Sequence, residues 1–309
     1  MAHPVHHSLH GVINFATIGR LQILRVALDF AGDPLPMHEE TPYLLRGLMP
    51  AQVQSSVLKS TSEYLNSPRL REWLAMALLR RNGPDVPAEA EMHDIMAIVR
   101  EIRQPDLPRI EALFATERKN NPAFDQWMAE GFISNYQRED FKAYPPDTLG
   151  GLYYRYLVKN NFEVQLRPWT KPETAIDFYD LRATQLHDFE HLISGGGYNY
   201  MGELVVYWVR LSNVFKHLSP ELAGAVSAIR IFGALRYMVR TVLHYPDVWT
   251  SAMQSIERGM KVGNNSGPLF MAKYEPLFEM TVAQARSALQ VEGADDIDTS
   301  EPSRRWTET

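Results

Sequence analysis

Hydrophobic positions recur with the period of an α-helix along almost the whole chain. Residues 11–30 place apolar side chains three or four positions apart, and Gly32, Asp33 and Pro34 end that pattern. Similar segments follow, separated by short turns that contain Pro or Gly. Further helices are predicted at 51–66, 69–81, 88–103, 107–119, 152–158, 187–193, 202–218, 220–243, 246–261 and 276–291. The pattern predicts an all-α protein, a bundle-like single large domain of many helices.

The two ends of the chain differ from this helical region. A histidine-rich segment occupies residues 1–10, the predicted helical domain spans 11–291, and an acidic and then polar tail covers 292–309. Because the tail has almost nothing to bury, we expect it to be disordered. Within the domain, residues 162–169 are the one stretch where a short strand or an extended connection is expected, and 263–267 is expected to be a loop.

Composition narrows the class of protein. The 309 residues are 45% hydrophobic and 22% charged, which is globular composition, and the net charge of -6 argues against a nucleic-acid binder. There is no cysteine, so disulfides, thiolate metal sites and a cysteine nucleophile are excluded. No apolar run approaches the ~20 residues of a membrane span, and no leader opens the chain. We expect a cytoplasmic protein, which can still rest on a membrane surface.

Candidate chemistry is concentrated in one segment, His187-Asp188-Phe189-Glu190-His191, followed after eleven residues by Glu203. Residues four apart on an α-helix lie about 40° around its axis, so His187 and His191 point the same way. Asp188 falls on the same arc of about 100°. The glycines at 195–197 must break this helix, which lets Glu203 return from the next helix to face the histidines. This pattern is typical of a site for zinc, iron, manganese or cobalt.

Two other interpretations use the same segment. In the first, the segment is a buried His–Asp pair in a helical core that binds no metal. The chain contains a similar pair, His93-Asp94, but Ala97 stands where the second histidine would be. His-x-x-Glu-His is also the inverted zinc-peptidase motif, with Glu190 as general base. However, Glu190 projects about 160° away from Asp188 on a regular helix, so both acids cannot serve one ion. A separate, terminal cluster can bind metal only weakly because no carboxylate orients it; it contains His3, His6, His7 and His10.

The predicted helix at 220–243 is rich in small residues, among them Gly224 and Gly233. Small side chains let another helix, or a lipid chain, approach the backbone closely. Tight helix packing and the wall of an apolar groove are both compatible with this composition.

At these residues the chain resembles the Coq-four family, the fourth coenzyme Q (ubiquinone) biosynthesis protein. The family signature is His-Asp-x-x-His, eleven residues, then Glu. Residues 146–153 resemble its Pro-x-x-Thr-Leu-Gly-x-x-Tyr segment, and Arg182 stands where an arginine commonly precedes the His-Asp pair. The resemblance covers 144–291 and includes, near its end, Trp249, Gly259, Gly263, Pro268 and Glu275. One departure is that 207–209 (Tyr-Trp-Val) lie where the family usually carries Lys and Glu.

The resemblance implies an all-helical protein of ubiquinone biosynthesis that contacts the inner face of the membrane peripherally. It implies metal-dependent oxidative decarboxylation, in which the ring carboxylate of a polyprenylated benzoate-derived precursor is replaced by a hydroxyl. The divalent ion would be held by His187, His191 and Glu203, with Asp188 as a fourth ligand or as a partner that orients an imidazole. Candidate substrate-binding residues are Arg182, Tyr153, Gly224 and Gly233.

Two alternatives to this enzyme remain open. One is a non-catalytic scaffold that binds the prenyl lipid and organises other ubiquinone biosynthesis enzymes, and the other is the inverted-motif peptidase. We also expect a homodimer and no nucleic-acid partner.

Overall fold

The structure, a computed structural model, describes residues 60–79, 88–164 and 171–305. Every regular element within these ranges is a helix, which confirms the all-α prediction. The α-helices are α1 (Glu63–Asn66), α2 (Pro68–Leu79), α3 (Ala88–Arg103), α4 (Leu107–Asn120), α5 (Pro122–Glu130), α6 (Leu149–Asn160), α7 (Ala175–Ser194), α8 (Tyr200–His217), α9 (Pro220–His244), α10 (Trp249–Asn265), α11 (Val282–Ala288) and α12 (Ser300–Arg305). Short 3-10 turns lie at Gln104–Asp106, Arg138–Phe141, Pro246–Val248, Leu269–Met271 and Glu275–Leu277.

Most predicted helices are present, with shifted ends. Helix α10 continues to Asn265, which lies inside the loop expected at 263–267. The helix expected at 276–291 is a 3-10 turn followed by the short α11. Helix α5 was not predicted, although the sequence marks its ends: the Asn121 side chain accepts from Phe124 N, and Gly131 closes the helix in the left-handed conformation. The helix predicted at 11–30, the first part of 51–66, the histidine-rich segment and 165–170 lie outside the described residues.

Helices α8 and α10 form the closest helix pair near the candidate residues. Gly259 and Gly263, four residues apart, face α8, and a β-carbon on either would lie 2.5 Å from a backbone carbonyl oxygen, that of Val205 or that of Val209. The contact therefore needs glycine, because any side chain would push the helices apart. Asn213 fixes the end of α10 by donating to the carbonyl oxygens of Gly263 and Gly267. This packing holds α8, which carries Glu203, in a rigid position.

A cluster of aromatic rings packs α6 against α7. Phe141 is edge-on to Tyr153 with ring centroids 5.0 Å apart, and Tyr153 lies 4.6 Å from Phe189. Phe189 in turn stacks on Tyr274 and Phe278 from the C-terminal segment. Such offset and edge-on pairs contribute about 0.5–1.5 kcal/mol each beyond their buried area. Since Phe189 lies between the two histidines in sequence, the cluster also fixes the rotation of α7 about its axis.

Helix α9 does not form the groove that its small residues suggested. Gly224 and Gly233 are nine residues apart, so they lie on faces about 180° from one another. A β-carbon at Gly224 would meet nothing within 4 Å, whereas one at Gly233 would lie 2.7 Å from the Tyr207 ring. The two glycines therefore do not share one face of α9, and their substrate-binding role stays a prediction. Gly233 is a packing residue and Gly224 is exposed.

By length and composition α9 is also the one helix of the described residues that could cross a membrane. However, 61% of its most apolar window is buried inside the protein. The core helices of globular domains have the same property, so it does not assign α9 to a membrane.

Residues 292–305 of the tail, whose disorder stays a prediction, make specific contacts with the rest of the described protein. The Ser303 hydroxyl of α12 accepts from Met201 N and donates to Asn199 Oδ1, at 3.0 and 2.8 Å. Arg286 pairs with Asp296, and Arg258 donates to the Asp295 carbonyl oxygen. Composition did not predict these contacts, because they are hydrogen bonds and ion pairs that bury little apolar surface. They hold the described part of the tail against the start of α8.

Candidate metal centre

Helix α7 presents the two histidines side by side. Thr174 and Asp177 form a capping box that starts the helix well before the predicted 187–193, so His187 and His191 lie in its regular last turns. Their rings are 4.8 Å apart and nearly perpendicular. His191 is buried, and His187 is 32% exposed. The predicted spacing therefore brings the two imidazoles together on one face.

The turn between α7 and α8 returns Glu203 to these rings. Gly195 ends α7 at φ +74°, and Gly197 has φ +68°, a backbone conformation that favours glycine at both positions. Asn199 then caps α8 by accepting from Gly202 N at 3.0 Å. Glu203, in the first turn of α8, therefore faces the histidines as the sequence predicted.

The Glu203 carboxylate lies between the two imidazoles. His187 Nε2 is 3.3 Å from Glu203 Oε2, and His191 Nε2 is 3.2 Å from Glu203 Oε1. One donor atom from each of the three residues lies within 4.8 Å of the others. Tetrahedral ligands about 2.0–2.2 Å from zinc are separated by about 3.3–3.6 Å. The three side chains fit a divalent cation, and we name them the triad.

The other ring nitrogen of each histidine has its own partner. His187 Nδ1 lies 3.1 Å from Asp188 Oδ1, and His191 Nδ1 lies 2.7 Å from the Gly197 carbonyl oxygen. Because a carbonyl oxygen only accepts, His191 carries its proton on Nδ1 when neutral, which leaves the Nε2 lone pair directed at the triad. Tyr153 donates to Asp188 Oδ2 at 3.0 Å. This arrangement is typical of histidines that bind metal.

The charges in the site favour a cation. Burial opposes ionisation of both His187 and Glu203, but their mutual attraction prevails. It raises the pKa of His187 to about 10 and, with His191, holds the pKa of Glu203 well below its usual range. Burial also opposes ionisation of Asp188, yet its contact with His187 keeps that carboxyl pKa low. Two carboxylates thus face His187. Without a metal ion, a proton on His187 supplies the positive charge that a bound cation would otherwise provide.

Asp188 is beside the triad and not part of it. Its two oxygens face His187 Nδ1 and the Tyr153 hydroxyl. Of the two predicted roles, this placement favours the one that orients an imidazole. Tyr153 contacts Asp188 beside the triad, and its predicted substrate-binding role stays a prediction.

The remaining acid of the segment points elsewhere. Glu190 is 3% exposed and forms an ion pair with Arg210 of α8. Arg210 also donates to the Ala183 carbonyl oxygen. The inverted-peptidase alternative needs Glu190 as a base at the metal, and a buried carboxylate paired with arginine does not support that role.

Arg182 lies in an internal network. Its side chain has no exposed surface and donates to Ser134 Oγ, Gln185 Oε1 and the Ala272 carbonyl oxygen at 2.7–3.0 Å. The Glu275 carboxylate lies 3.6 Å away. These contacts join α7 to the C-terminal segment, and the substrate-binding role of Arg182 stays a prediction.

Residues 133–295 match the family described as Coenzyme Q (ubiquinone) biosynthesis protein Coq4. The match includes the whole triad and more than half of the 309 residues. The chain belongs to the Coq4 family. This confirms the resemblance to the Coq-four family, and the matched range extends slightly beyond the predicted 144–291 at both ends.

Individual relatives named as members of this family each match about half of the chain. The chain is 26% identical over 156 residues to the ubiquinone biosynthesis protein COQ4 homolog, mitochondrial, of Anopheles gambiae. It is 28% identical over 155 residues to the ubiquinone biosynthesis protein COQ4, mitochondrial, of Eremothecium gossypii. These alignments cover 50% of this chain and 51% and 44% of the two relatives, so the chain spans about half the length of the proteins it matches.

The fold is also similar to that of a solved structure. A Nostoc punctiforme protein, provisionally named a ubiquinone biosynthesis protein, has a crystal structure that superposes on this chain with a TM-score of 0.53. The two sequences are 20% identical. The superposition covers 72% of this chain and 94% of that one. At this identity the similarity concerns the helical fold alone.

Proposed function

We propose that the chain acts in ubiquinone biosynthesis as a metal-dependent enzyme. The substrate is a polyprenylated, benzoate-derived ring. The reaction breaks the bond between the ring and its carboxylate, releases carbon dioxide and forms a ring C–OH bond, with dioxygen as the oxidant and the source of the new oxygen atom (2 ArCOO⁻ + O2 + 2 H⁺ → 2 ArOH + 2 CO2). The observation that carries the proposal is the triad of His187, His191 and Glu203 with exposure on one side. Three protein ligands leave a coordination position for an external molecule, which is typical of catalytic sites, whereas four would close a structural one.

Each side chain has a role in this reaction. His187, His191 and Glu203 would hold a divalent ion (zinc, iron, cobalt or manganese), which when bound draws electron density from the carboxylate or phenolic oxygen of the substrate. Asp188 orients the ring of His187, and the Gly197 carbonyl oxygen orients that of His191. His187 and Glu203 are 32% and 29% exposed, so the substrate ring enters on their side.

The test of the site is metal analysis of single variants. In a background where the four N-terminal histidines are replaced by alanine, we expect His187→Ala, His191→Ala and Glu203→Ala each to lose most bound metal. His93→Ala is the matched control, because His93 precedes an aspartate in the same way but has no second histidine four residues later. Equal loading in all four variants would refute the site.

Activity separates the enzyme from the scaffold. The metal-loaded protein is incubated with a prenylated 4-hydroxybenzoate under air, and carbon dioxide release and ring hydroxylation are measured. We expect both products in a one-to-one ratio, lost in Glu203→Ala. A fully loaded protein that releases no carbon dioxide would favour the scaffold that binds prenyl lipid and other biosynthetic enzymes.

Peripheral contact with the inner face of the membrane is part of the proposal. Its support is a row of exposed apolar side chains on α9, where Ile231, Leu235 and Val242 are 40–48% exposed and lie within about 40° of one another. Such a row suits the boundary of a lipid bilayer, where prenylated substrates reside. We expect the chain to float with vesicles of phosphatidylcholine and phosphatidylglycerol, and Leu235→Glu to stay in the soluble fraction. Equal flotation of both would contradict this surface.

A further inference from the structure

Tyr198 has a buried hydroxyl without a hydrogen-bond partner, and its ring lies beside His191 of the triad. Its oxygen is shielded from solvent and makes no hydrogen bond. Buried hydroxyls in folded proteins nearly always find a partner, so one without any, beside a candidate site, indicates that a ligand supplies it. No sequence pattern pointed to Tyr198, which follows the three glycines at 195–197 and lies outside the His-Asp-x-x-His pattern.

The ring of Tyr198 is held firmly in place. It stacks on Tyr156 of α6, with centroids 3.6 Å apart and planes 11° from parallel, and its centroid lies 5.4 Å from that of His191. Its neighbours in the turn are fixed as well, Gly197 by His191 and Asn199 by the hydroxyls of Thr299 and Ser303. The hydroxyl therefore cannot leave the site without breaking the stack.

The nearest charged group does not take this hydroxyl. Asp188 lies close enough to act on Tyr198 electrostatically, but its Oδ2 already accepts from Tyr153 and its Oδ1 faces His187. A tyrosine hydroxyl carries its proton at neutral pH. Tyr198 thus offers a hydrogen-bond donor on a ring that lies next to His191 of the triad.

We propose that the Tyr198 hydroxyl donates a hydrogen bond to an anionic oxygen, carboxylate or phenolate, of the aromatic molecule bound at the triad. This makes Tyr198 a substrate-binding residue and a determinant of specificity for oxygen-bearing rings. The inference rests on the proposed function, because it requires the triad to bind such a ring.

The test uses the full chain loaded with cobalt and the substitution Tyr198→Phe, which keeps the stacked ring and removes only the hydroxyl. The probe is 4-hydroxybenzoate carrying a geranyl chain, titrated calorimetrically. We expect about tenfold to a hundredfold weaker binding of the probe, as for a lost hydrogen bond to a charged group, with cobalt affinity and melting temperature unchanged. Geranylbenzene, which lacks both the carboxylate and the hydroxyl, should bind wild type and variant equally.

Tyr274→Phe is the matched control. The Tyr274 hydroxyl is also buried without a hydrogen bond, but the ring stacks on Phe189 and its charged neighbours are Glu190 and Arg210. Its removal should leave probe binding unchanged.

Each other outcome overturns the inference in a distinguishable way. If wild type binds the probe and Tyr198→Phe binds it equally well, the inference fails and the proposed function stands. If Tyr198→Phe weakens cobalt binding itself, Tyr198 positions the metal ligands and does not contact substrate. If cobalt-loaded wild type binds no probe, the proposed function fails and the inference with it.

Discussion

Replacing Asp188 by asparagine is the sharpest test of how the triad is organised. The substitution keeps the size of the side chain and an oxygen for His187 Nδ1, but it removes the negative charge that polarises the imidazole. It also weakens the acceptor for the Tyr153 hydroxyl, 3.0 Å away in the native protein. The fold should tolerate the change because Asp188 is 34% exposed.

The size of the effect distinguishes the two roles of Asp188. Loss of a partner that orients a metal-bound histidine typically lowers metal affinity by about 10- to 100-fold, which corresponds to about 1.4–2.8 kcal/mol. We expect Asp188→Asn to fall in that range when zinc is titrated in competition with a chromophoric chelator. A loss comparable to that of Glu203→Ala would instead make Asp188 a ligand.

Asp94→Asn is the matched control, since Asp94 follows His93 as Asp188 follows His187 but is exposed and away from any second histidine. It should bind zinc like the wild type. The reasoning is refuted if Asp188→Asn binds zinc as tightly as wild type, or if Asp94→Asn loses as much.

Two further predictions concern stability and pH. Glu190→Ala should destabilise the protein by about 3–5 kcal/mol in urea unfolding, because it leaves Arg210 buried without its partner. The double variant Glu190→Ala/Arg210→Met should recover part of that lost stability. If it recovers none, the ion pair is not the cause of the destabilisation. Without metal, the raised pKa of His187 contributes stability that is complete below its unfolded value of about 6.5 and is lost as the pH rises through about 10. Metal affinity should rise over the same pH range because His187 must release its proton to bind the ion. A stability that increases from pH 7 to 10 without metal would contradict the protonated state of His187. A metal affinity that does not change with pH would contradict it as well.

Much of the fold followed from local pattern. The spacing of apolar residues located the helices α3, α4, α8 and α9 to within a few positions, because one amphipathic face must be buried whatever lies against it. The histidine pair was equally local, since two residues four apart share a face on any regular helix. The return of Glu203 needed only a chain reversal, and three consecutive glycines supplied the evidence for it.

The contacts between helices could not be predicted from the local pattern of residues. The sequence placed Gly224 and Gly233 together by composition, whereas packing buried one against Tyr207 and left the other exposed. The tail was judged by its lack of apolar residues, but hydrogen bonds to Asn199 and Met201 hold α12. Polar contacts between distant segments leave no periodic trace in the sequence.

By itself the sequence determined the helical class, the family and the three side chains that face one another at the candidate site, because each depends on spacing along one helix or across one turn. Only the tertiary structure decided which nitrogen of each imidazole faces Glu203 and that Asp188 contacts His187. It also decided that Glu190 pairs with Arg210 and that Tyr198 lies beside His191. These depend on how α6, α7 and α8 pack, and packing is set by the shapes of many side chains at once.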